Sequence, residues 1–80
     1  MNDIENTFFS DLSPSEKIIF VLKSHESYGG PQSIKHLQNT LGMKRKNLDS
    51  LLSRLCQKGR INRIQLGVYK YPGDERHPKI

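Results

Sequence analysis

The chain has 80 residues and a mass of 9.2 kDa, is 34% hydrophobic and 26% charged, and carries one Cys, three His and a net charge of +5. That length suits one small domain burying roughly 60–65% of its unfolded surface. It holds no apolar run near the roughly 20 residues of a membrane span; the single Cys excludes an internal disulfide framework, and one Cys with three dispersed His argues against a four-ligand structural zinc site. The expectation is therefore a soluble, cytoplasmic protein with no membrane segment, no metal and no small-molecule cofactor.

In chain order, residues 1–12 read as a flexible arm. Met1 to Glu5 carry two acids and no base, unlike a targeting leader. Phe8-Phe9 is the arm's one apolar pair, able to order it only by docking. The domain is expected over residues 13–73 and a frayed polar tail over 74–80. Ser13, Pro14 and Glu16 form a capping-box start for a first helix through Ile18 to Leu22. That helix ends near Ser24–Ser27, and Gly29-Gly30-Pro31 makes a turn. Ser33 caps a second helix whose Ile34, Leu37 and Leu41 share one face. Gly42 stands where a left-handed C-cap belongs.

The third helix, over residues 44–58, is the most regular. Leu48, Leu51, Leu52 and Leu55 fall at i, i+3, i+4 and i+7, a narrow apolar stripe. It stops at Gly59. Two short strands follow, Ile61–Gln65 and Val68–Tyr71, joined by the tight turn Leu66-Gly67. Pro72-Gly73 ends the second.

The net charge is unevenly spread. Met1 to Glu26 holds five acids and two bases, whereas Lys35 to Lys70 holds nine bases and one acid, Asp49. The tail balances. A block this basic points to a polyanionic partner rather than to solubility alone.

The order helix, turn, helix, short turn, helix, hairpin resembles the winged helix-turn-helix family over about Ser13 to Pro72. The resemblance is carried by Ser33-Ile34-Lys35-His36-Leu37-Gln38-Asn39-Thr40-Leu41-Gly42-Met43, the leucine stripe, Gln57-Lys58-Gly59-Arg60-Ile61 and Gly67-Val68-Tyr69-Lys70-Tyr71. It implies an α+β fold of three helices followed by a two-stranded β-hairpin wing. It also implies double-stranded DNA as partner and a role as a small transcriptional regulator, nucleoid-associated in a prokaryote. The family branch that binds Z-form nucleic acid carries Lys-x-x-x-Asn-x-x-x-Tyr, ending six residues before the glycine. Arg45, Asp49 and Ser53 stand at those positions, so this chain falls outside that branch.

Helix geometry can be set against that expectation. At 100° per residue from the leucine stripe, the opposite face carries Lys46, Ser50, Ser53 and Gln57, flanked by Asp49 on one side and by Asn47 and Arg54 on the other. Small hydroxyls let a backbone approach, and amide or basic side chains reach base edges. Gln57 and Asn47 suit adenine. Arg45 and Lys46, with Lys44 before them, suit guanine or phosphate. Asp49 either accepts from a cytosine amino group or repels the backbone. In the family the wing holds phosphates, here through Arg60, Arg63 and Lys70. Ser33 and Lys35 offer a phosphate contact at the start of the second helix. Tyr69 and Tyr71 read as packing residues.

Nothing supports catalysis. His25, His36 and His77 lie in separate elements, without a nucleophile or a paired carboxylate at useful spacing. Cys56 reads as a half-buried apolar residue. Its other reading is a redox thiol favoured by Arg54, Lys58 and Arg60. A single module of this kind reads about 4–6 base pairs, so specificity calls for a dimer on a two-fold site. The candidate dimer surface is the arm and first helix, with Phe8, Phe9 and Phe20. The competing function is a protein-interaction winged helix, or an accessory module of a larger nucleic-acid-processing complex. Double-stranded RNA or a replication origin as target stays open.

Overall fold

A computed structural model describes residues 9–79. Residues 1–8 and 80 lie outside it, and with them the Phe8 part of the expected dimer surface. Helix α1 spans Pro14–Lys23. Its start is the expected capping box: the Ser13 hydroxyl accepts from the Glu16 N–H, and a Glu16 carboxylate oxygen accepts from the Ser13 N–H, both at 3.2 Å. Just before it, Phe9 meets Phe20 edge to face with centroids 5.6 Å apart. The Lys17 ammonium lies 5.3 Å from the Phe9 ring centroid. The described end of the arm is thus docked through Phe9.

Strand β1 is Gln32–Ser33, followed directly by helix α2, Ile34–Leu41, and helix α3, Arg45–Gln57. Gly42 ends α2 at φ 68°, the left-handed cap expected of it, with its N–H donating to the Gln38 carbonyl at 2.8 Å. Strands β2, Asn62–Gln65, and β3, Val68–Lys70, complete the fold.

The sheet corrects one expectation. The structure holds a three-stranded antiparallel sheet in the order β1-β3-β2, where the sequence implied a two-stranded hairpin. Gln32 pairs with Tyr69 and Ser33 with Val68, while Asn62 pairs with Lys70 and Arg63 with Tyr69. A bulge between Arg63 and Gln65 shifts the register before Gln65 meets Val68. The extra strand is held at both ends. Its buried Gln32 side-chain amide donates to the Tyr28 and Gly30 carbonyls at 3.0 and 2.9 Å. The Ile34 N–H donates to the Gly67 carbonyl at 2.9 Å, tying the hairpin turn to the start of α2.

The core lies where the three helices meet the sheet. Ile18, Leu22, Leu37, Leu48 and Leu52 have no exposed surface, and Ile61 and Tyr69 close the core from the hairpin. The leucine stripe therefore faces inward as expected, which turns the opposite face of α3 to solvent.

The tail is also corrected. It is not frayed but laid across the α1–β1 loop. Arg76 Nη1 donates to the Ser24 carbonyl at 2.8 Å, and Nη2 reaches the Leu22 carbonyl at 3.4 Å. Arg76 also pairs with Asp74 at 2.7 Å. Lys79 joins β1 as a parallel bridge to Gln32, its N–H donating to the Pro31 carbonyl at 2.8 Å. Its ammonium donates to the Gly29 carbonyl at 2.7 Å and to the Ser27 carbonyl.

Candidate nucleic-acid interface

The solvent face of α3 gathers most of the nominated residues. Asp49, Ser50, Ser53, Arg54 and Gln57 line one open depression of ≈ 460 Å³. They are one and two turns apart on a helix, so burying Leu48, Leu52 and Leu55 suffices to bring them together. Lys46 and Asn47 are exposed on the first turn of the same helix.

The start of α3 is electropositive. Its N-cap is Lys44, which makes no side-chain cap bond, and the first turn holds no acid. Arg45 and Lys46 follow directly. The positive end of the helix dipole and three cations thus coincide, an arrangement that costs helix stability and attracts anions. Asp49 lies one turn further on, and its Oδ1 accepts from Arg45 Nε at 3.2 Å.

The second nominated contact, the start of α2, is more closed. The Ser33 hydroxyl accepts from the His36 N–H at 3.3 Å and lies 3.1 Å from His36 Nδ1. The Ile34 N–H is taken by Gly67. Ser33 is thus spent within the molecule. Lys35 is exposed and has no partner among the described residues.

The hairpin cations divide three ways. Arg63 stands opposite Tyr69, facing the phenol and the thiol of Cys56. Lys70 is half-buried, and its ammonium donates to the Asp74 carbonyl at 3.1 Å. Arg60 turns away from the α3 face. With Leu12, Glu16, Ile19, Phe20 and Lys23 it lines a separate depression of ≈ 230 Å³ beside α1. The structure therefore does not bring Arg60 together with the other nominated residues.

Burial pushes the Cys56 thiol up from its ordinary value, and Arg63 pulls the other way with the smaller effect. That environment disfavours the thiolate. Burial likewise raises the Tyr69 phenol. Tyr71 packs at the core edge, with the Lys23 ammonium 5.8 Å from its ring centroid. Among the described residues, no group of three His, Cys, Asp or Glu could hold a metal ion, and no helix is long and apolar enough to cross a membrane.

Sequence reasoning missed one surface feature. Leu66, read only as a turn residue, is 88% exposed at the hairpin tip, and Ile64 beside it is 46% exposed. A leucine in a two-residue turn, where polar residues and glycine prevail, is the signal that marks it.

Comparison of the chain with protein-family models, with curated proteins and with solved structures returned no match.

Proposed function

We propose that this chain is a winged helix-turn-helix module that binds double-stranded DNA without catalysis or cofactor and acts as a small transcriptional regulator in the cytoplasm or nucleoid. The observation that carries the reading is the outward face of α3. It is polar, cation-flanked and free of large apolar groups, and it is backed by a leucine stripe in which Leu48, Leu52 and Leu55 are buried and Leu51 is half-buried. A helix of this kind fits the major groove, about 12 Å wide. Ser50 and Ser53 allow close approach, while Asn47, Arg54 and Gln57 reach toward base edges. Lys44 and Lys46 hold phosphates at the helix start, Lys35 holds one from α2, and Arg63 holds one from the hairpin. Lys70 contributes less, because its ammonium is committed to Asp74.

The test is fluorescence anisotropy with a random-sequence duplex of about 20 base pairs, from about 50 to 300 mM salt. Four phosphate contacts and a partial fifth from Lys70 give a log–log slope of about −4. A slope near zero, or no binding at the lowest salt, overturns the proposal.

The exposed Leu66 and Ile64 favour a second reading, a protein-interaction module that docks through the hairpin tip. It predicts a flat salt slope and a partner whose binding is lost in Leu66→Asp.

A further inference from the structure

Asp49 is the one acid in a block of nine bases, and helix stability does not explain it. It stands in the second turn of α3, beyond the first-turn positions where a carboxylate complements the dipole. Its partner Arg45 is the first helical residue, where a cation is disfavoured. The acid follows the base by four residues, the less favourable order for such a pair. The two side chains are 60% and 51% exposed, so solvent screening leaves the bond worth little to the fold.

The pair nonetheless favours one direction for the arginine. Asp49 Oδ1 takes Arg45 at Nε, at 3.2 Å, and both Nη groups have no partner among the described residues. A guanidinium held from its Nε side presents its two Nη groups as an outward fork. The fork also sits beside a carboxylate. A phosphate would meet that negative charge, whereas a base edge would not. The neutral surface offering two adjacent acceptors in the major groove is guanine, through O6 and N7.

We propose, resting on the reading of α3 as the recognition helix, that Arg45 reads a guanine and that Asp49 is the positioning residue that aims it. The duplex this surface selects carries a guanine opposite the start of α3. Asp49 trades general affinity for this aim, since a carboxylate beside a polyanion weakens all binding while restricting the arginine to one base.

The test uses the full chain and selection from a random duplex pool, followed by affinities for the selected site and for the same site with that guanine replaced by adenine. For the wild type the replacement weakens binding about tenfold or more. Asp49→Ala removes both the charge and the acceptor, raises affinity for unselected duplex about two- to fivefold, and lets the guanine preference fall to within about twofold. Arg45→Lys keeps the charge and the salt slope but loses the same preference, because an ammonium has no fork. Retention of the preference in both variants overturns the proposal, as does a wild-type selected site without a guanine. In both cases duplex binding persists and the proposed function stands. Absence of wild-type duplex binding overturns both.

Discussion

Arg76 and Lys79 in the tail carry the same charge as Lys44 and Lys46 on α3, but only the tail pair is spent inside the molecule. α1 ends at Lys23, leaving carbonyls at the negative end of its dipole. Arg76 takes those of Leu22 and Ser24, and Lys79 takes the carbonyls of Ser27 and Gly29 in the loop that follows. Lys44 and Lys46 sit at the opposite pole of another helix, where the backbone offers N–H groups and no acceptor. Helix polarity thus helps to separate these two pairs of cations. The tail cations beyond the end of α1 are consumed by the fold, and Lys44 and Lys46 at the start of α3 are left for an external anion. Net charge alone does not distinguish them.

The sharpest way to break the comparison is to move a carbonyl the tail holds. A Cβ on Gly29 would stand 2.1 Å from the Ser24 carbonyl oxygen, the acceptor of Arg76 Nη1. The clash is with backbone, so no rotamer relieves it. Gly29→Ala is expected to cost at least about 1–3 kcal/mol in urea denaturation, the ordinary penalty of overpacking. Its salt slope on duplex, measured where the variant is still folded, should match the wild type. An unshifted denaturation midpoint would mean that the loop tolerates displacement and the tail clasps little.

A smaller pair of effects should cross. Arg76→Ala lowers the thermal midpoint and leaves the salt slope alone. Lys46→Ala leaves the midpoint alone and makes the slope shallower by about one. If Arg76→Ala also cost one unit of slope, the tail would belong to the DNA footprint and the division would fail. Lys70 joins the two groups, since it lies on β3 and donates to Asp74. Its alanine variant should show a partial loss of each kind.

What was legible in the sequence was local. The Ser13–Glu16 capping box, the Gly42 cap and the leucine stripe each depend on residues within about two helical turns, and helical geometry then placed Asp49, Ser50, Ser53, Arg54 and Gln57 on one face. β1 was not legible. Two residues cannot display alternation, and Gln32 becomes a strand only by pairing with Tyr69 far along the chain. The tail hid for the same reason. The Arg76–Ser24 bond spans 52 residues, and a polar segment with one proline reads as unfolded until its acceptors are known. The side on which Arg60 lies was not legible for another reason. This residue follows the turn at Gly59, and the helical phase that sorted α3 carries no information beyond that turn.

The smallest expected effect concerns pH. The Arg76 hydrogen bond holds the Asp74 carboxyl below its ordinary value, outweighing the burial that would raise it. Asp74 keeps only 7% of its side chain exposed. A carboxyl depressed on folding adds stability that is fully present above the unfolded value of about 3.9 and is lost as pH falls through the folded value. The difference in thermal midpoint between wild type and Asp74→Asn should therefore be constant from about pH 5 to 8 and shrink below about pH 4. The subtraction isolates Asp74 from the other carboxylates, which titrate in both proteins. A difference already shrinking at pH 6 would trace the clasp to a histidine rather than to this pair. No difference at any pH would mean that Arg76 holds the loop carbonyls unaided, with Asp74 as a bystander. A difference confined above pH 4 would show that the tail cation is neutralised within the fold, the property that separates it from Lys44 and Lys46.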